Sequence, residues 1–278
     1  MINKLKITTL VDNHALFGSG FWAEHGLSFL IEADGQKILF DTGQSAEVIA
    51  HNLEKIREDL NDLNYVVLSH GHYDHTGGLK EIARRTDNPN IFAHPNIFNE
   101  KYVKRDEKYK RIGIPFDVDE LKNNFKFQLK EEDTEIIKGV KTTGQIPRIT
   151  KFENVPKRFY IKKNDMYIND DIIDDQSLIL ETQSGIMVIL GCTHSGLINT
   201  LYQVKEITGK NEFWGLIGGV HLWSAKEEQL QKTAKALKEF NLKVIGLSHC
   251  SGLNAFLYFS KIFGEKVFLN SAGSVIEI

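Results

Sequence analysis

The sequence predicts an α/β fold, and two observations carry that expectation. Short apolar runs of strand length alternate with stretches whose apolar residues recur at helical spacing. Asp41, His70, His94, His194, His221 and His249 each fall at or just past the end of one of those runs. In α/β sheets, ligands gather beyond the carboxyl ends of strands, so one shared site explains that repeated placement.

The elements follow in order. Lys4–Val11 alternates polar and apolar residues and reads as a strand; residues 12–25, with Gly18, Gly20, Phe21 and Trp22, read as a loop. Leu27–Ala33 and Gln36–Phe40 are strands joined by Asp34-Gly35, a two-residue hairpin signal. Ser45 caps a helix expected over 46–60, with Ala46, Ile49, Leu53, Ile56 and Leu60 on its apolar face. Tyr65–Leu68 is a short buried strand, 78–85 a helix and Asn90–Ala93 a further strand. Later, Ser177–Glu181 and Ile186–Leu190 flank a Ser184-Gly185 turn, followed by a helix over 197–207 and a strand over Glu212–Ile217. Ser224 to Glu227 has the spacing of a capping box for the next helix. Strand Lys243–Leu247, a helix over 253–263 and strands near 266–269 and 274–277 close the chain. Phe256, Tyr258 and Phe259 read as core.

Residues 96–165 differ in texture, being lysine-rich and carrying Pro115, Pro147 and Pro156. Lys101, Lys104, Arg105, Lys108, Lys110 and Arg111 crowd one short stretch with Tyr102 and Tyr109. Two readings stand open: a solvated helix face, or a lid offering positive charge to an anionic substrate. No composition break is sharp enough to divide the chain, so 1–278 reads as a single domain with an insertion or lid at about 96–165.

Composition narrows the function classes. With 41% hydrophobic and 26% charged residues, a large core is expected. A net charge of −3 gives no general attraction to nucleic acid or anionic membrane. No apolar run approaches the roughly 18 residues of a membrane span. Met1–Lys4 leads into a strand pattern without a signal peptide, and Cys192 and Cys250 are too few for a disulfide framework. The expectation is a cytoplasmic protein with a small-molecule anionic substrate.

The chemistry concentrates at 65–79. The apolar run stops at Ser69 and Gly71, and His70, His72, Asp74 and His75 follow within six residues, ahead of Gly77-Gly78. Imidazole and carboxylate ligate borderline divalent metals, and a loop after a strand points several of them at one centre. Zn²⁺ suits such a set, with Mn²⁺ and Fe²⁺ also accepted. A metal of this kind lowers the pKa of a bound water to about 7 and polarises a substrate oxygen.

Several elements resemble the metallo-β-lactamase superfamily: Phe40-Asp41-Thr42-Gly43 after a hairpin, the His-x-His-x-Asp-His cluster at 70–75, and the late histidines 194 and 249. The resemblance implies a four-layer αββα sandwich with one or two metals at one edge of its sheets. It implies that His70 and His72 bind one metal, that Asp74, His75 and His249 bind a second, and that Asp41 supports them. Glu24–Ser28, Gly191–Gly196, Gly218–Leu222 and Ser248–Gly252 look like the branch named for 7,8-dihydropterin-6-methyl-4-(β-D-ribofuranosyl)aminobenzene 5′-phosphate synthase. The named reaction joins a pterin methyl group to an arylamine ribose phosphate. Many relatives are simply called metal-dependent hydrolases.

The chain also departs from the superfamily pattern. No histidine lies between His94 and His194, and Gly191-Cys192 stands where a bridging Gly-Asp is typical. His194 is the first candidate to complete the site, Asp175 the second and a Cys192 thiolate the third. His221, after a glycine pair, is expected to contact substrate or donate a proton, and Asp74 to ligate metal and orient the attacking water. His94, before Pro95, reads as structural, and Cys250 as a small core residue. The expected activity is metal-dependent hydrolysis of a small phosphorylated or pterin-like substrate, with the synthase reaction as alternative. A non-catalytic metal sensor is the reading from another class. Structural zinc is usually closed by four ligands at short spacings, whereas these come from distant strand ends.

Overall fold

The computed structural model describes residues 1–278. Alternation within the strands decides the layering, because successive side chains point to opposite faces. In Ser28–Ala33, Phe29 and Ile31 join Ile7, Ile38 and Phe40 against Leu178, Leu180, Met187 and Ile189 of a second sheet. Leu30 faces the other way, with Leu39 and Val66, onto the helical residues Ile49, Leu53, Leu79 and Ile82. A third cluster sets Val188, Leu190 and Leu216 against Leu201, Leu230, Ala234 and Phe259 of three other helices. Helices, sheet, sheet, helices: this is the four-layer αββα sandwich. No helix is long and apolar enough to cross a membrane.

Each main sheet holds seven strands. The first runs Val275–Glu277, Leu5–Val11, Ser28–Ala33, Gln36–Phe40, Leu63–Val67, Asn90–Ala93, Lys126–Leu129. The second runs Val267–Leu269, Val244–Leu247, Phe213–Gly218, Gly185–Leu190, Leu178–Thr182, Val140–Thr142, Thr134–Ile137. The last four strands of the first order and the first four of the second pair in parallel. Their carboxyl ends meet at one edge, where a Cβ on Gly191 would collide with Ser69. Gly77 and Gly78 fuse two loops at that edge: a Cβ on either would strike the carbonyl of Gln44 or Thr42.

Three local expectations need correction. The first helix spans Ala46–Lys55, with Ser45 Oγ accepting from Val48 N at 3.3 Å, and stops short of residue 60. Arg57 and Leu60 adopt φ of 58° and 62°, which no helix continues, although Leu60 stays buried. The helix after Ser224 starts at Glu227 with Lys226 at the cap and no side-chain capping bond, so the Ser224–Glu227 box does not form. Lys101–Arg111 is not a helix but a hairpin, Lys101–Arg105 paired with Lys108–Arg111. Its turn residues Asp106 and Glu107 both have positive φ, the conformation whose twist matches paired strands. Phe159–Lys163 and Met166–Asn169 complete a separate four-stranded sheet with it. The strands at 126–129, 134–137 and 140–142 belong instead to the main sheets.

Lys101 ties this small sheet to the edge of the sandwich. It is 1% exposed, with Nζ 2.7 Å from Asp174 Oδ1 and 3.0 Å from Asp170 Oδ2. Asp174 Oδ2 accepts from Gly71 N at 2.8 Å, in the middle of the histidine loop. Removing one member of a buried ion network leaves uncompensated charge. Lys101→Met is therefore expected to lose about 3–5 kcal/mol in denaturant unfolding. A loss below about 1 kcal/mol, the scale of an exposed pair, contradicts the assignment.

Candidate metal centre

The site is built outward from Asp41. Fully buried at the end of Gln36–Phe40, with φ 56°, its carboxylate accepts from Ser69 N (2.7 Å), Ser69 Oγ (2.7 Å) and His75 Nδ1 (2.6 Å). With Nδ1 held, His75 turns Nε2 inward, 3.2 Å from Cys192 Sγ and 3.9 Å from Asp74 Oδ2. Burial disfavours charge on His75, but the Asp41 carboxylate overcomes it and raises the pKa to about 9. The backbone of Asp41, Thr193, His221 and His249 lies in the left-handed region, and such strained non-glycine residues cluster at functional sites.

His70, His72 and His194 each bring a ring nitrogen within 4.8 Å of the other two. Two come from the loop after Leu63–Val67 and the third from the loop after Gly185–Leu190. Burial holds His70 and His194 well below the usual imidazole value and takes His72 down to about 3. All three are neutral, the form that ligates metal. His72 Nε2 and both nitrogens of His194 and of His221 are buried without a hydrogen-bond partner. Such atoms are costly unless something fills their lone pairs. The His194 ring is 4.8 Å from that of His70 and 4.4 Å from that of His221. These residues fit a divalent metal.

A second constellation lies beside the first. Asp74 Oδ2 is 3.3 Å from His249 Nε2 and 3.2 Å from His25 Nε2. Burial works against the Asp74 anion, yet His249, His25 and His75 hold the carboxyl well below its usual range. His249 is oriented by Asn13 Oδ1, 2.9 Å from Nδ1, and by Asp12 Oδ1, which accepts its backbone N–H at 2.6 Å. Cys192 lies within 4.8 Å of the donor atoms of His70 and His75, and also of those of His221 and Cys250. Burial pushes its thiol up.

The structure does not bring Asp175 into either group. Its Oδ2 accepts from Ser195 N at 2.9 Å, so it braces the loop that carries His194. His94 caps the short turn after it, Nδ1 accepting from Asn96 N at 3.1 Å. His51 stacks on Trp22 at 3.9 Å, and Cys250 is buried against His221 N, its sulfur accepting at 3.3 Å. Sequence reasoning missed the contribution of His25. Its neighbour Glu24 accepts from Gln44 N, Ser45 N and Ser45 Oγ, which carries His25 across to Asp74. The signal was the Glu24-His25-Gly26 triplet alone.

Above both groups opens a cavity of about 370 Å³. Its walls include Tyr73, Phe159, His221 and Trp223, with Arg105 and Arg158 among its lining residues. The model of the metallo-β-lactamase superfamily matches residues 22–197. The chain belongs to that superfamily. It is an enzyme whose fold binds divalent metal. A curated relative from Methanocaldococcus jannaschii, named 7,8-dihydropterin-6-methyl-4-(β-D-ribofuranosyl)-aminobenzene-5′-phosphate synthase, is 33% identical over 99% of this chain and 97% of its own. A crystal structure of Tm1679, described as a metal-dependent hydrolase of the β-lactamase superfamily, superposes with a TM-score of 0.85 at 29% identity, covering 99% of each chain. The metallo-β-lactamase fold protein YhfI from Bacillus subtilis shares the fold alone, at a TM-score of 0.58 and 13% identity over 98% of this chain and 99% of its own.

Two outcomes are expected. His194→Ala weakens metal binding by more than about tenfold in chelator competition, the least expected for a ligand when supporting partners already cost that much. Asp175→Asn, which keeps a carbonyl oxygen for Ser195 N, weakens metal binding less than His194→Ala does and alters the pH profile of stability. Burial raises the Asp175 carboxyl from 3.8 to about 6, so between those values the folded chain keeps a proton that the unfolded chain has released. The contribution of Asp175 to wild-type stability therefore falls as pH rises through that window, and Asp175→Asn should gain on wild type between pH about 4 and 6. Parallel thermal-unfolding profiles would contradict this.

Proposed function

We propose that this enzyme is a metal-dependent transferase that joins a dihydropterin methyl group to an arylamine ribose phosphate. The observation that carries the reading is the cavity wall. Flat rings of Tyr73, Phe159 and Trp223 stand around the histidine clusters, a surface suited to a planar heterocycle and an aryl ring. The full-length relative at 33% identity bears the name of that activity.

His70, His72 and His194 would hold one ion, with Zn²⁺ favoured by an all-imidazole set and Mn²⁺ or Fe²⁺ acceptable. Asp74, His75 and His249 would hold a second, with Cys192 alongside both. Metal bound there supplies Lewis-acid polarisation of the oxygen that leaves the pterin methyl carbon. Asp74 aims its carboxylate at His25 and His249, and His25 is the exposed member at the cavity side. His25 is placed to take the proton the arylamine loses, its hydrogen bond to Asp74 raising its proton affinity against the cost of burial. His221 stands beside His194 at the cavity wall and contacts substrate.

Hydrolysis is the second reading, favoured by the description of the 29% identical crystal structure. Asp74 then orients the attacking water instead. The metal-loaded enzyme, given a dihydropterin-methyl diphosphate and the arylamine ribose phosphate, is expected to release diphosphate and the coupled product, measured by mass spectrometry. Absence of that product, together with turnover of a phosphoester panel, would instead establish the hydrolase.

A further inference from the structure

Several of the many cations in the 101–163 region are ion-paired within the protein. Lys101 is buried on Asp170 and Asp174, and Lys104 and Lys162 pair with Glu107 and Asp165. Arg105 and Arg158 are not: neither guanidinium forms an ion pair, and both line the cavity over the histidine clusters. Phe159 pairs with Val103, and Lys104 N donates to Arg158 O at 2.8 Å, so Arg158 lies across from Lys104, one residue from Arg105, and both arginines open onto the same cavity.

The Arg158 guanidinium lies 5.2 Å from the Phe159 ring and 5.4 Å from that of Trp223. Packing against ring faces fixes its plane and leaves the N–H fork free. Its Nε is buried with no partner. Burial and the neighbouring Arg105 both lower its hold on a proton, the behaviour of like charges kept together. The nearby carboxylates are Asp74 on the cavity floor and Asp106 and Glu107 in the adjoining outer groove. The Phe159 ring beneath Arg158 is 5.6 Å from the rings of both His72 and His194. The histidines and the arginine pair therefore line one cavity.

We infer that Arg105 and Arg158 form the subsite for a phosphate group of the substrate. Two adjacent forks match tetrahedral phosphate oxygens with charge-assisted, paired hydrogen bonds. The assignment rests on the reading of a phosphorylated substrate and is indifferent to whether the enzyme couples or hydrolyses it. It makes the inserted sheet the part of the fold that selects for phosphate, separate from the residues that hold metal.

Calorimetric titration of metal-loaded wild type, Arg105→Gln, Arg158→Gln and Arg158→Lys with inorganic phosphate and with inorganic diphosphate tests this, with metal content measured on the same samples. Each glutamine variant is expected to bind at least one probe about tenfold or more weakly, the scale of a lost charge-assisted hydrogen bond, at unchanged metal content. Arg158→Lys restores only part, because it keeps the charge and loses the fork. The stronger-bound probe tells a phosphomonoester site from a diphosphate site, and either supports the inference. Wild-type affinity for both probes in both glutamine variants overturns it. Should Arg158→Gln fail to fold, Arg105→Gln on its exposed strand end decides alone. A failed coupling reaction alongside arginine-dependent anion binding sinks the proposed function and leaves the subsite standing.

Discussion

The carboxylate of Asp41 is the constraint on which the rest of the site depends. It is completely buried, and no lysine or arginine pairs with it; Ser69 and His75 are its side-chain partners. A buried anion is tolerated only when its lone pairs are filled and a cation stands near. Ser69 supplies two donors from the end of one strand and His75 the third from the following turn. The same bonds fix which nitrogen of His75 faces inward, as second-layer carboxylates do for metal-ligating histidines. His75 itself, its pKa raised to about 9, is the cation that stands near.

From that anchor the two sheets contribute unequally. The first delivers His70, His72, Asp74 and His75 within one loop, while the second delivers Cys192, His194, His221 and His249 one strand end at a time. The first loop is held in place where Gly77 and Gly78 let backbone meet backbone and where Lys101 holds Asp174 against Gly71. The second set stands on strained residues, Thr193, His221 and His249, each at positive φ. The packing energy of the sandwich sustains that strain so that three separate loops reach the same edge of the two sheets. The third sheet then contributes Phe159 and Arg105 to the wall of the opening, with Arg158 just before the Phe159 strand and Tyr73 and Trp223 from the main body.

How much of this was legible in the sequence depends on how local each signal is. The 70–75 cluster announces itself because its donors are consecutive, and His194, His221 and His249 are found because each follows an apolar run. His25 was overlooked because its partner, Asp74, is brought to it only by the docking of Glu24 on Gln44 and Ser45. Arg105 and Arg158 were hidden among many cations, and only ion pairing separates them from Lys101, Lys104 and Lys162. The hairpin at 101–111 was unreadable because Asp106-Glu107 is a poor turn dipeptide that tertiary packing nonetheless holds at positive φ; Tyr109 stacks on Tyr167 at 3.7 Å across the sheet. Asn164-Asp165, at φ 47° and 62°, was the better turn signal and went unread. Ser224 fails as a cap because the chain enters the helix only at Glu227.

His194, from a strand more than a hundred residues later, is expected to close the metal position begun by His70 and His72. Anomalous diffraction from zinc-soaked crystals, recorded on both sides of the zinc absorption edge, tests it most directly. The expected result is an anomalous peak within bonding distance of one ring nitrogen from each of His70, His72 and His194. A peak bound by His70 and His72 but bypassing His194, or one centred on Asp175, would contradict it.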